Sequence, residues 1–231
     1  MQKLDPAAPA CTLILLHGLG RTSRSMHRLA VEGARRGYRV ENIGYPSRRA
    51  GVFAHAERVG LAIAALDVAG PVHAVTHSMG GIVLRAALAG GWLPPAGLGR
   101  VVMLAPPNGG SELADWLCRT PLLRLALGPA GPELRTGSRG IPCSLPPVHF
   151  ELGVIAGAAK HRSLAAPLFP GPHDGKVSVA SASVTGMRDL LVVPCGHTFI
   201  MNVPEVVRQT FHFLARGAFD QAGICAAGVE R

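Results

Sequence analysis

Unbroken apolar runs alternate with helix-patterned segments along most of this chain, and that alternation restricts its architecture more than any other feature. Residues 11–17 (CTLILLH) are apolar almost throughout, as in a strand buried on both faces. Residues 23–36 follow with Met26, Leu29, Ala30 and Gly33 at helical spacing, and Gly37 is a natural stop. Residues 38–44 read as a second strand. Residues 52–68 set Phe53, Ala56, Val59, Gly60, Ile63 and Leu66 along one helical stripe. Further strands are expected at 71–76, 100–105, 150–156 and 189–194, with a helix at 79–90.

The last helix is expected to begin at Asn202, capped by that side chain, with Pro204 in its first turn and Glu205 reaching back. Val203, Val207, Thr210 and Leu214 would then face inward. Strands and helices in this order predict an α/β fold, a mainly parallel sheet of about six strands flanked by helices, in one domain over residues 1–231. Residues 106–148 are rich in Pro and Gly, show no clear strand and are too long for an ordinary connection. They are expected to form a small lid-like or cap excursion over the sheet edge. The tail beyond Gly217 is expected to be peripheral.

Composition narrows the function. With 48% hydrophobic and 16% charged residues, the chain has the makings of one sizeable core and not of a disordered segment. The formal charge of +9 favours anionic partners in principle: an anionic substrate, a membrane surface or nucleic acid. Basic residues are scattered, however, with only short clusters at Arg35-Arg36 and Arg48-Arg49 and no interleaved aromatics. A solvated basic surface is therefore expected, and no nucleic-acid partner.

No stretch offers about 18 uninterrupted apolar residues, so no transmembrane helix is expected, although peripheral membrane contact is compatible with the charge. Pro6 and Pro9 interrupt what would be the apolar part of a signal peptide, which points to the cytoplasm. Five widely spaced cysteines contain no CxxC pair, and a reducing compartment is the simpler reading. Whether Cys118 pairs with Cys143 is left open.

Four short signals carry chemistry. Val75-Thr76-His77-Ser78-Met79-Gly80-Gly81 follows a buried strand and opens a helix, the setting of a nucleophile elbow that exposes the Ser78 hydroxyl on a strained turn. Thr76 stands where the G-x-S-x-G pattern has its first glycine. The competing reading is that Ser78 simply caps a helix. His17-Gly18-Leu19-Gly20 after the first strand could bring the Leu19 amide beside that of Met79 as an oxyanion hole. Its rival is a phosphate-cradling turn, but residues 17–22 match neither a P-loop nor G-x-G-x-x-G.

Asp174, in His173-Asp174-Gly175-Lys176-Val177, is the preferred acid over Asp115 and Asp189. His197, in Cys195-Gly196-His197-Thr198 after the last strand, is the preferred base. The order Ser78, Asp174, His197 is the one this kind of fold uses. Within the excursion, Leu113, Trp116 and Leu117 fall at i, i+3 and i+4 and are candidate substrate-binding residues on one helical face.

These motifs resemble those of the α/β-hydrolase superfamily, and within it bacterial lipase- and esterase-like proteins. The resemblance covers about residues 11–215 and rests on HGLG at 17–20, HSMGG at 77–81, Pro107-Asn108-Gly109-Gly110-Ser111 with Ala114-Asp115, and Asp174-Gly175-Lys176-Val177 followed by Ser181. It implies carboxylic-ester hydrolysis through an acyl-enzyme on a small acyl-ester or lipid substrate, and a structural role for Asp115. Some such lipases bind calcium through an acid soon after the histidine, but residues 198–202 are TFIMN, so no metal and no cofactor is expected. The same triad would equally serve a thioesterase, amidase or acyltransferase, and a non-catalytic lipid- or protein-binding member is a further alternative.

Overall fold

The computed structural model describes residues 11–66, 68, 70–93, 97–159, 166–169 and 171–221. Six strands form one parallel sheet: β1 (Thr12–Leu16), β2 (Arg39–Ile43), β3 (Val72–His77), β4 (Leu98–Leu104), β5 (Leu152–Gly157) and β6 (Asp189–Val193). Their spatial order is β2-β1-β3-β4-β5-β6. The helices are α1 (His27–Arg35), α2 (Val52–Ala64), α3 (Met79–Ala89), α4 (Glu112–Leu117), α5 (Pro121–Leu127), α6 (Ala130–Glu133), α7 (Ile141–Ser144), α8 (Val179–Ala182) and α9 (Pro204–Arg216).

Side chains alternate between the two faces of the sheet. Leu13 and Leu15 join one apolar cluster with Leu29 of α1 and Phe211 and Phe213 of α9. Ile14 and Leu16 join the other with Val59 of α2 and Ile82 of α3. All four β1 residues are fully buried, each contributing about 2 kcal/mol from removal from water. This two-sided burial is why β1 reads as a continuous apolar run. Strand order reverses between β1 and β3, so the C-terminal ends of those strands flank the crevice where sheets of this type place ligands.

The excursion at 106–148 is not a loose loop. It holds α4 to α7 and is tied to the body by polar side chains. Arg85, buried in the middle of α3, donates to Asn108 Oδ1 (3.0 Å) and to the carbonyls of Leu145 (3.2 Å) and Pro146 (3.1 Å), clamping both feet of the excursion. Asn108 in turn donates to the Ala182 carbonyl (2.8 Å). Glu133 accepts the amide of Val52 (2.6 Å) at the N-terminus of α2, where the helix dipole favours an acid. Asp115 accepts from the Thr136 hydroxyl at 2.6 Å and so joins α4 to the segment after α6. By contrast α5 has no buried residue, and Leu122 and Leu125 are 74% and 78% exposed.

Four expectations need correction. Asn202 does not cap the last helix: Val203 occupies that place, Glu205 pairs with Arg208 and Gln209, and the Asn202 carbonyl accepts from Arg28. Local i+3 and i+4 partners therefore captured Glu205 before it could reach back. The stripe on α2 is carried by Val52, Ala56, Val59, Gly60 and Ile63, while Phe53 points outward at 45% exposure, and the helix ends at Ala64. Residues 23–36 divide into a 3-10 turn at Ser23–Met26 and α1. Finally, the tail is not peripheral as far as Gln221: Phe219 is buried against Phe213, and Asp189 accepts its amide.

Cys11, Cys118, Cys143 and Cys195 are free thiols, so Cys118 and Cys143 are not joined, and Cys225 lies outside the described residues. Among the described residues no helix is long and apolar enough to cross a membrane.

Candidate active site

Ser78 sits where β3 turns directly into α3. Its φ of 53° is in the region that side-chain-bearing residues avoid, and the turn is held by the Ser78 amide donating to the Leu104 carbonyl (2.9 Å). Such a turn lifts the hydroxyl clear of the sheet. Thr76 is fully buried two residues earlier. It fits because its neighbour across the turn has no side chain: a Cβ on Gly81 would lie 3.1 Å from Thr76 Oγ1 and 3.0 Å from Met103 Sδ. The glycine missing before the serine is thus matched by a glycine three positions after it.

The 17–20 loop lies directly against this turn. A Cβ on Gly18 would be 2.9 Å from Ser78 Cβ, so only glycine allows the approach. Tyr45 clasps the loop from outside, its amide donating to His17 Nε2 (3.2 Å) and its ring stacking on the imidazole at 4.3 Å. Leu19 lines the same cavity as Ser78, and Met79 is the first residue of α3, where helix amides have no intrahelical acceptor.

Asp174 and His197 come from the loops after β5 and β6, and the His197 amide donates to the Asp174 carbonyl (3.0 Å). The Asp174 carboxylate is held in two directions. Its Oδ1 accepts the amides of Lys176 (2.9 Å) and Val177 (2.8 Å), which leaves Oδ2 to accept from His197 Nδ1 at 2.7 Å. Protonation at Nδ1 makes Nε2 the acceptor, and Ser78 Oγ donates to it at 2.9 Å. Asp174 and His197 are 6% and 4% exposed, so the relay is largely shielded from water. A hydroxyl, an imidazole and a buried carboxylate joined within hydrogen-bond reach can take a proton from the hydroxyl and hold the resulting imidazolium.

The rival acids are engaged elsewhere. Asp115 serves Thr136, and Asp189 serves Leu190, Phe219 and Gln221.

A cavity of about 240 Å³ opens over Ser78 and His197. Leu113 and Leu117 of α4 line it, joined by Leu127 and Leu134, which the sequence did not single out. Trp116 does not line it: the ring is 44% exposed. The i, i+3, i+4 pattern cannot distinguish residues within such a short helix, and Leu113 and Leu117, one turn apart, take the inner side. The basic residues are also less scattered than expected, since Arg21, Arg48 and Lys176 converge on this cavity from three loops. Arg21 and Arg48 each follow a strand end closely, at Leu16 and Ile43, but Lys176 lies far beyond the end of β5 at Gly157, so no shared sequence position marks the three.

His77 was likewise not singled out. It is buried beside the relay, donating from Nε2 to the His197 carbonyl at 3.1 Å. Burial makes its imidazole hold a proton far less tightly than usual, and His197, Lys176 and Arg21 add to the effect. His17, His55 and His73 are shifted in the same direction, again chiefly by burial. These four imidazoles hold a proton less tightly in the folded protein than in the unfolded chain, where their pKa is near 6.5. Below that pH the unfolded chain binds more protons, so stability is lost as the pH falls. Thermal melting followed from pH 7.5 to 5 should show Tm dropping steadily below about 6.5; a flat Tm would show that the imidazoles accept protons in place.

The sequence matches the alpha/beta hydrolase family over residues 13–219. This chain belongs to that family. Solved structures agree on the fold. The mature form of a Bacillus licheniformis lipase superposes with a TM-score of 0.69 at 20% identity, covering 92% of this chain and 94% of that one. A metagenomic carboxyl esterase gives 0.65 at 19% identity, covering 93% and 76%. At such identities the likeness extends to the fold alone. No curated protein matches the sequence significantly.

Proposed function

We propose that this alpha/beta hydrolase is a serine hydrolase that cleaves carboxylic esters through an acyl-enzyme, with Ser78 as nucleophile, His197 as base and Asp174 as orienting acid. The observation that carries the proposal is the unbroken Ser78–His197–Asp174 relay, with bonds of 2.9 and 2.7 Å, opening into a cavity with a leucine wall.

His197 Nε2 takes the Ser78 proton as Oγ attacks the ester carbonyl. The amides of Leu19 and Met79 receive the oxyanion. The imidazolium, stabilised by Asp174, gives its proton to the departing alcohol. Water then enters, loses a proton to His197 and releases the acid. The relay supplies every proton transfer in this cycle. That similar folds carry the names lipase and carboxyl esterase supports the same reading.

Incubation of the full chain with a fluorophosphonate is expected to attach one phosphonyl group to the Ser78 oxygen with loss of fluoride, and 4-nitrophenyl esters should be hydrolysed. A protein that neither labels at Ser78 nor turns over any ester of the panel would overturn the proposal.

The cavity is smaller than the roughly 300–1,000 Å³ of drug-sized sites, which favours short acyl chains. Leu117→Ala should shift the preferred chain length upward by one or two carbons, with kcat/KM ratios between neighbouring chain lengths changing about fourfold, the equivalent of about 0.8 kcal/mol per methylene. Trp116→Ala should leave the ranking unchanged. A profile from C2 to C10 measured on both variants checks this, and the opposite result would move the acyl pocket to the other side of α4.

A further inference from the structure

Three basic residues line the cavity that holds Ser78 and His197. Arg21 comes from the loop after β1, Arg48 from the loop after β2 and Lys176 from the loop after β5. Among the described residues no acid lines the cavity. Among the described residues none of the three lies within ion-pair distance of a carboxylate. Asp174 does not neutralise Lys176 by contact, because its two oxygens are taken by backbone amides and by His197.

These groups are positioned by their surroundings. The Arg21 guanidinium lies 5.3 Å over the Phe199 ring, and its Nε is buried without a hydrogen-bond partner. The Arg48 guanidinium rests on Gly20 of the 17–20 loop, where a Cβ would be 3.0 Å from Nη2 and would displace it. Like charges gathered around one cavity repel one another, and an unpartnered buried N–H is costly. An anion entering the cavity relieves the repulsion. Arginine forks match phosphate-type oxygens two at a time, which a lone solvated lysine cannot do.

The cavity is therefore divided, with Leu113, Leu117, Leu127 and Leu134 supplying an apolar wall and the three cations the remainder of its chemistry. We propose that the substrate is an ester whose alcohol part carries a phosphate-type anion, held by Arg21, Arg48 and Lys176, while its acyl chain lies on the leucine wall. The anion belongs to the alcohol part because the acyl chain is left facing leucines. This rests on the proposed ester hydrolysis, and names its substrate class.

The test separates binding from turnover. Full-length Ser78→Ala protein is titrated calorimetrically with 1-O-hexylglycerol 3-phosphate, an ether that cannot be cleaved, and with 1-O-hexylglycerol. The phosphorylated ether is expected to bind at least about tenfold tighter at low salt, with the advantage shrinking as salt rises. Adding Arg21→Gln or Arg48→Gln should cut that advantage about fivefold or more, while Arg119→Gln, outside the cavity, should not. Equal affinities for the two ethers would overturn the proposal. So would inorganic phosphate binding as tightly as the phosphorylated ether, which would make this a free-phosphate site. An advantage seen only with phosphatidylglycerol vesicles present would assign the cations to a membrane surface and overturn it as well. Because no arm depends on catalysis, fluorophosphonate labelling and 4-nitrophenyl acetate hydrolysis by the unaltered protein report separately on the esterase reading.

Discussion

Ser78→Ala is expected to lower kcat/KM toward any ester the protein hydrolyses by about 10⁴-fold or more, with the fold intact. The only side-chain atom lost is Oγ, whose partner is His197 Nε2, and His197 keeps its bond to Asp174. The Cβ is retained, so the alanine inherits the costly φ of 53° and the melting temperature should hardly move. Whatever rate survives comes from the amides of the oxyanion site and from substrate binding. Ser78→Gly offers a sharper contrast. It should be equally inactive but more stable, by about 1 kcal/mol, because glycine adopts positive φ without strain. Steady-state kinetics with thermal melting on the two variants checks both halves. Turnover by Ser78→Ala comparable to the parent would place the nucleophile elsewhere.

Asp174→Asn is expected to reduce kcat by about 10⁴-fold, for a reason the two carboxylate oxygens make explicit. Oδ1 accepts two backbone amides, so an asparagine will direct its oxygen there and its NH₂ toward His197. A donor facing Nδ1 forces the ring proton onto Nε2. The imidazole then presents an N–H, not a lone pair, to the Ser78 hydroxyl and cannot act as a base. Asp115→Asn and Asp189→Asn should instead lower Tm with kcat little changed, since those carboxylates bond Thr136 and the segment around Phe219. The three variants compared for kcat and Tm decide the matter. A larger fall in kcat for Asp189→Asn would name the wrong acid.

The sheet was legible because burial on both faces writes a strand as an uninterrupted apolar run, as in LILL at 13–16. The proposed triad was legible for a related reason: three chemically able residues each follow such a run, and parallel strands bring their C-terminal ends together. What could not be read were choices made by distant partners. Arg85 looks like an intruder in the apolar helix MGGIVLRAALA, and only the folded chain reveals the carbonyls of Leu145 and Pro146 that receive it. A lone arginine in such a helix is itself a sign of buried acceptors. Asn202 lost its capping role because the helix begins at Pro204 with Val203 at the cap, and Glu205 is held by Arg208 and Gln209. Phe219 is one apolar residue in a short tail, with no periodicity to announce it. The convergence of Arg21, Arg48 and Lys176 depends on three loops whose spacing in sequence says nothing of their distance in space.

The attachment of α4 limits how this protein could be re-engineered. Ser111 Oγ donates to the Lys176 carbonyl (2.7 Å), and Glu112 accepts from the hydroxyls of Ser178 and Ser181. These bonds seat the helix that supplies Leu113 and Leu117 on the same loop that carries Asp174. Selectivity and turnover are consequently not separable traits at this point: a graft that exchanges α4 to alter chain preference also loosens the mount of the carboxylate. The interchangeable part is α5, which buries no side chain yet reaches the cavity through Leu127. A module swapped between Thr120 and Gly128 would vary what the protein accepts while leaving its proton relay in register.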